Sequence, residues 1–63
     1  MEIGRKIAKL RQEKNLTQKD LAKRAGISES YLSRIEEGNC HRPHNKTLSR
    51  IAYALMVTME DLT

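Results

Sequence analysis

The stretch that most constrains this chain is Gly26-Ile27-Ser28. Gly26 suits the end of a helix, where a residue with positive φ is needed and glycine meets no steric penalty. Ser28 suits the start of the next helix, because its hydroxyl can accept from an unpaired N–H of the first turn. Only Ile27 stands between them. The chain must therefore stop one helix and begin another within a single tight, apolar turn.

Stop and start signals of the same kind recur on both sides. Ile3, Ile7 and Leu10 fall at helical spacing, which predicts a first helix over residues 2–14 with Asn15 as its left-handed end. TQKD places a capping hydroxyl at Thr17 and a carboxylate at Asp20, a capping box that opens a second helix with Leu21, Ala22 and Ala25 inward. A third helix is expected from Glu29 to Glu37, capped by Ser28, closed by Gly38, and apolar at Leu32 and Ile35. GNCHRPHN reads as a loop, with Pro43 biasing Arg42 away from helix. Asn45 is expected to cap a fourth helix at about 46–55, with Leu48, Ile51, Ala52 and Leu55 inward. Thr58 and Asp61 repeat the capping pattern for a short fifth helix contacting the rest through Met59 and Leu62. The expected fold is all-α: five short helices, no strand, and one domain over residues 1–63.

At this size the function classes narrow. A chain of 63 residues buries only about 60% of the surface it exposes when unfolded, which leaves little room for an enclosed active site. There is no Trp or Phe and only two Tyr, so the core must be aliphatic. No catalytic base with an orienting partner is visible, and no enzyme is expected. Cys40, His41 and His44 crowd into one loop, whereas zinc sites use four ligands in paired spacings, so neither metal nor other cofactor is expected. The single cysteine suits a reducing cytosol. No apolar run reaches the roughly 20 residues of a membrane span. MEIGRKIAKL lacks the apolar region of a signal peptide.

The formal net charge is +4, which fits an anionic partner. Its distribution is uneven. Residues 1–16 carry five basic and two acidic side chains, residues 17–37 four of each, and residues 38–63 three basic and two acidic. Long-range attraction to a polyanion would thus come mainly from the first helix.

Two helices about a Gly-containing turn, over about residues 18–37, describe a helix-turn-helix, with Ala22 small where they touch and Leu21, Ile27, Leu32 and Ile35 as the plug. LTQKDLAKRAGISESYLSRIEEG resembles the phage repressor and Cro type of helix-turn-helix, common among bacterial regulators, and the likeness continues through Arg42-Pro43 and TLSRIAYAL. It implies a lambda-repressor-like domain that binds double-stranded operator DNA as a homodimer, with the third helix in the major groove. It also implies an ion pair between Arg11 and Glu36 that ties the first helix to the third. Such a protein would act in the cytoplasm, at the nucleoid. Two departures stand out. Met56 occupies a position where relatives usually have Gly, so either the fourth helix ends differently or the site is strained. His44-Asn45-Lys46 follows Pro43 where an apolar residue is usual.

At about 100° per residue, Glu29, Ser30, Ser33, Arg34 and Glu37 share one arc of the third helix. Arg34 suits guanine O6 and N7, Glu29 cytosine N4, and Ser30 and Ser33 either kind of base edge. Glu37, at the helix end, reads as a solvated charge. Gln18 and Ser28, at the N-termini of the second and third helices, are placed for phosphate. Lys19, Lys23, Tyr31, Asn39 and Arg42 join them, with Tyr31 equally suited to packing. Met56, Val57, Met59 and Leu62 lie too near the end of the sequence to be fully covered, and two readings stand equally for them: a dimer interface or packing in the chain's own core. The competing reading is a protein-interaction module, such as an antitoxin or the DNA-binding head of a larger regulator. No small-molecule ligand is expected.

Overall fold

The computed structural model describes residues 3–39 and 43–62. Among these, five helices and no strand are present: α1 Ile3–Glu13, α2 Gln18–Ala25, α3 Glu29–Glu36, α4 Asn45–Leu55 and α5 Met59–Leu62. Packing is most extensive between α2 and α4, while α3 lies against both α1 and α2. The inward residues form one aliphatic core that includes Ile7, Leu21, Leu32, Leu48, Ile51 and Leu55.

One local device ends four of the helices. After α1, Leu16 N–H donates to Arg11 C=O at 3.0 Å and Asn15 N–H to Gln12 C=O at 3.0 Å. The same paired bonds join Ile27 to Ala22 and Gly26 to Lys23, Asn39 to Arg34 and Gly38 to Ile35, and Val57 to Ala52 and Met56 to Tyr53. Each pair closes around a left-handed residue: Asn15, Gly26, Gly38 or Met56. This Schellman arrangement satisfies carbonyls that a helix end leaves unpaired. The residue after the left-handed one is Leu16, Ile27 or Val57 in three cases, and each packs against the core. In the fourth it is Asn39, which is exposed.

Met56 therefore takes the strained alternative, at φ 61° and ψ 40°. For an L-residue with a side chain that conformation costs about 1–2 kcal/mol. Three boundaries differ by one residue from the sequence expectation. Helix α1 ends at Glu13, α3 stops at Glu36, and α4 starts at Asn45 because His44 takes the capping position instead. His44 is extended at φ −60° and ψ 147°, and its Nδ1 accepts from Lys46 N–H at 3.2 Å.

The apolar cluster expected at an interface is not one patch. Leu62 is fully buried, so it belongs to this chain's own core and is withdrawn from the interface set. The fourth helix and α1 both reach α5, and that contact covers it. Met59 and Val57 are half-buried against the core, while Met56 is 85% exposed.

The start of α2 is fastened by a complete capping box: Asp20 N–H donates to Thr17 Oγ1 at 3.0 Å, and Thr17 N–H to Asp20 Oδ2 at 3.2 Å. The bond from the Thr17 backbone, then that with its hydroxyl, holds the Asp20 carboxyl below the usual carboxylate value. The unfolded chain takes up that proton at higher pH than the folded one. The contribution is thus whole above the unfolded value and is lost as pH falls through the lower folded value. Asp20→Asn should lower the melting temperature at neutral pH, and the difference from the parent should close in acid. Melting curves for both proteins that stayed parallel at every pH would show that the carboxylate does not act this way.

Gly4 is buried where α1 meets the end of α3, and a Cβ there would overlap the Ile35 carbonyl oxygen. In an open helix Gly→Ala gains about 1 kcal/mol. Here the overlap outweighs that gain, and Gly4→Ala should cost about 1–3 kcal/mol as overpacking. At roughly 4–8 °C per kcal/mol, thermal melting resolves the sign, and a raised melting temperature would contradict the close approach.

Candidate nucleic-acid interface

Helix α3 is held from behind by Leu32 and Ile35, which are 0% and 2% exposed. That pins its rotation and turns the opposite arc outward. Glu29, Ser30 and Arg34 are exposed and Ser33 is half-buried. With Gln18 from the first turn of α2, these four residues line one open hollow. Glu29 is the single acid on its wall.

Behind the hollow sits a polar junction. Arg11 Nε donates to Glu36 Oε2 at 2.8 Å and Arg11 Nη2 to Glu36 Oε1 at 3.1 Å, a two-point ion pair between α1 and α3. Arg11 Nη1 donates to the Leu16 carbonyl at 2.8 Å, in the α1–α2 connection. Gln18 Nε2 donates to Glu36 Oε1 at 3.0 Å. The Arg11 and Glu36 side chains are 13% and 5% exposed. One carboxylate therefore collects donors from α1 and α2 while sitting on α3.

Glu37 is exposed but not idle. Ser33 Oγ donates to it at 3.1 Å and Asn39 Nδ2 at 3.2 Å. With Gln18 on Glu36, three residues expected at DNA thus have donors already engaged, and a contact with a base or phosphate through those donors must exchange that bond. Ser28 Oγ accepts from Tyr31 N–H at 3.0 Å, which leaves its own hydroxyl proton available. Lys19 and Lys23 are exposed, whereas Tyr31 is half-buried and packs against the core. Arg42 lies outside the described residues, as do Cys40 and His41. Among the described residues no group of metal-binding side chains is assembled. No helix among them is long and apolar enough to cross a membrane.

The helix-turn-helix family profile matches residues 7–62. The chain belongs to the Cro/C1-type helix-turn-helix family. It is 43% identical over 60 residues to the ImmF control region 10 kDa protein of Bacillus phage phi105, covering 95% of this chain and 66% of that protein. It is 42% identical over 60 residues to an uncharacterised HTH-type transcriptional regulator of Sinorhizobium fredii, covering 95% of this chain and 77% of that one. The immunity repressor protein of the same phage is 42% identical over 55 residues, but the chain spans only 38% of its length. Membership in this family makes the chain a DNA-binding transcriptional regulator rather than an enzyme.

The bond from Gln18 to Glu36 and the fit of Gly4 against α3 are features of this helix-turn-helix that residue spacing does not reveal. Both arise where separate elements cross, and no repeat along the chain records them. Breaking the Arg11–Glu36 pair leaves a buried carboxylate with Gln18 as its remaining side-chain donor. Such a loss costs about 3 kcal/mol or more. At about 0.05–0.15 kcal/mol per residue, the whole chain has on the order of 3–9 kcal/mol. Arg11→Ala should therefore melt far below the parent, while Arg11→Met combined with Glu36→Leu should recover part of the loss. If the double variant were the less stable, the penalty would not come from an unpaired charge.

Proposed function

We propose that the chain represses transcription by binding an inverted-repeat operator as a homodimer, with α3 in the major groove. The observation that carries this reading is the gathering of Gln18, Glu29, Ser30, Ser33 and Arg34 around one open hollow. Arg34 donates to guanine, Glu29 accepts from cytosine N4, and Ser30 and Ser33 adapt to either kind of edge. Gln18, Lys19, Lys23, Ser28, Asn39 and Arg42 anchor phosphates, and Tyr31 adds its hydroxyl from the half-buried edge of α3. A relative named as an immunity repressor supports repression over activation. The protein works on the nucleoid, in the cytoplasm.

Of the four residues first read as interface, the dimer draws on Val57 and Met59 at the α4–α5 junction, while Met56 is set on the hollow it shares with Arg24 and Tyr53. Val57 opens onto a hollow with Lys6, Lys9, Glu13 and Asp61, whose mixed charges can match a second copy across a two-fold axis. Half-sites then lie about 34 Å apart, one turn of DNA.

Selection from random duplex DNA tests the reading directly. The expected product is a palindrome with half-sites one turn apart, and its absence would refute operator recognition. On that operator Arg34→Ala should cost about 1–3 kcal/mol and relax preference at one base pair per half-site. Equal weakening on all sequences would make Arg34 a phosphate contact.

A further inference from the structure

Tyr53 and Met56 are the large apolar side chains left open among the described residues, at 86% and 85% exposure. Both stand on one hollow together with Arg24, Ala54 and Val57, the last of which borders the proposed dimer contact as well. Tyr53 also walls a second hollow, which is bounded by Lys23, Arg24 and Arg50. No carboxylate lines either hollow. Asp20, one turn earlier on α2, lies outside both hollows, and Arg24 favours its charged form.

The fold gives no reason for Met56. Its side chain packs little, and its backbone is held at φ 61°, where glycine would be unstrained. Strain kept without a packing return points to use elsewhere. We propose that this face docks a segment of a partner protein that carries acidic residues around an apolar anchor. The anchor lies between Tyr53 and Met56, and its flanking carboxylates meet Arg24 and Arg50. A second copy of this chain fits poorly, because a two-fold contact would set the same cations against each other. Duplex DNA would use the cations but leave the thioether and the ring without a role. None of these residues lines the hollow of Gln18 and Arg34, and Lys23, on the wall of the second hollow, is the side chain the face shares with the proposed phosphate contacts.

Two synthetic amphipathic peptides with identical leucine spacing test the proposal, one with Glu and one with Lys at every polar position. Amide shifts of the labelled protein report where each binds. The Glu peptide should perturb Arg24, Tyr53, Ala54 and Met56, and the Lys peptide should not bind. Tyr53→Ala should weaken the Glu peptide at least about tenfold, the scale of a buried aromatic anchor, with duplex affinity unchanged. Met56→Gly should weaken the peptide while raising the melting temperature. Equal binding of both peptides, no binding of the Glu peptide, or shifts confined to another face would overturn the proposal. So would loss of self-association in Tyr53→Ala during sedimentation, which would assign the face to a second copy. If Arg24→Glu weakened duplex binding as much as peptide binding, the face would belong to DNA.

Discussion

The Glu36 carboxylate is the point on which the arrangement of the first three helices turns. Arg11 grips both its oxygens through Nε and Nη2, Gln18 takes one of them as well, and the third Arg11 nitrogen, Nη1, donates to the Leu16 carbonyl. A core of aliphatic side chains is non-directional: it brings helices together without choosing how each is rotated. Charged, two-point bonds are directional and short. Desolvating both charges offsets much of their attraction, so the pair's net contribution to stability is smaller than its short bonds suggest. Gly4 works at the same crossing. With no Cβ, it lets α1 come down onto the backbone of Ile35 and Glu36, which brings the two partners of the ion pair within reach.

Around that junction the helices are ended by one repeated device whose variations are informative. Leu16, Ile27 and Val57 follow the left-handed residues and return the chain to the core. Asn39 follows Gly38 and does not, so the chain leaves α3 without an apolar tether. Met56 departs in the other sense, holding a glycine-like backbone with a large exposed side chain. One departure lies beside the helix proposed to read bases and the other beside the proposed docking face. On those two proposals, both departures from the local pattern fall beside surface that has a use.

Much of this was legible along the chain because caps and apolar periods are local. Thr17 with Asp20, Gly26 with Ser28, and the run Leu48, Ile51, Ala52 and Leu55 each carry their meaning within one or two turns. The boundary at α4 slipped by one residue because His44 supplies a ring nitrogen where Asn45 is the commoner type of cap. Leu62 reads as peripheral from its place near the end of the sequence, and only the packing of α5 on α1 and α4 shows it to be core. The outward arc of α3 followed from helical geometry alone. Gln18's approach to Glu36 did not, since it depends on the angle between α2 and α3, which spacing leaves open.

The glutamates of α3 and its end then fall into separate roles despite lying within one short stretch. Glu36 is neutralised from behind by Arg11, and Glu37 is occupied by Ser33 and Asn39. That leaves Glu29 as the acid facing the hollow. On the proposed reading, attraction to DNA does not need this helix to be basic, because residues 1–16 supply most of the excess positive charge. Freed from that task, an acid at the base edges discriminates by what it rejects. It accepts from a cytosine amino group and repels the acceptor atoms that guanine and thymine present in the major groove. Long-range attraction and selectivity are on that reading carried by different helices, and the Arg11–Glu36 pair is the link between the two.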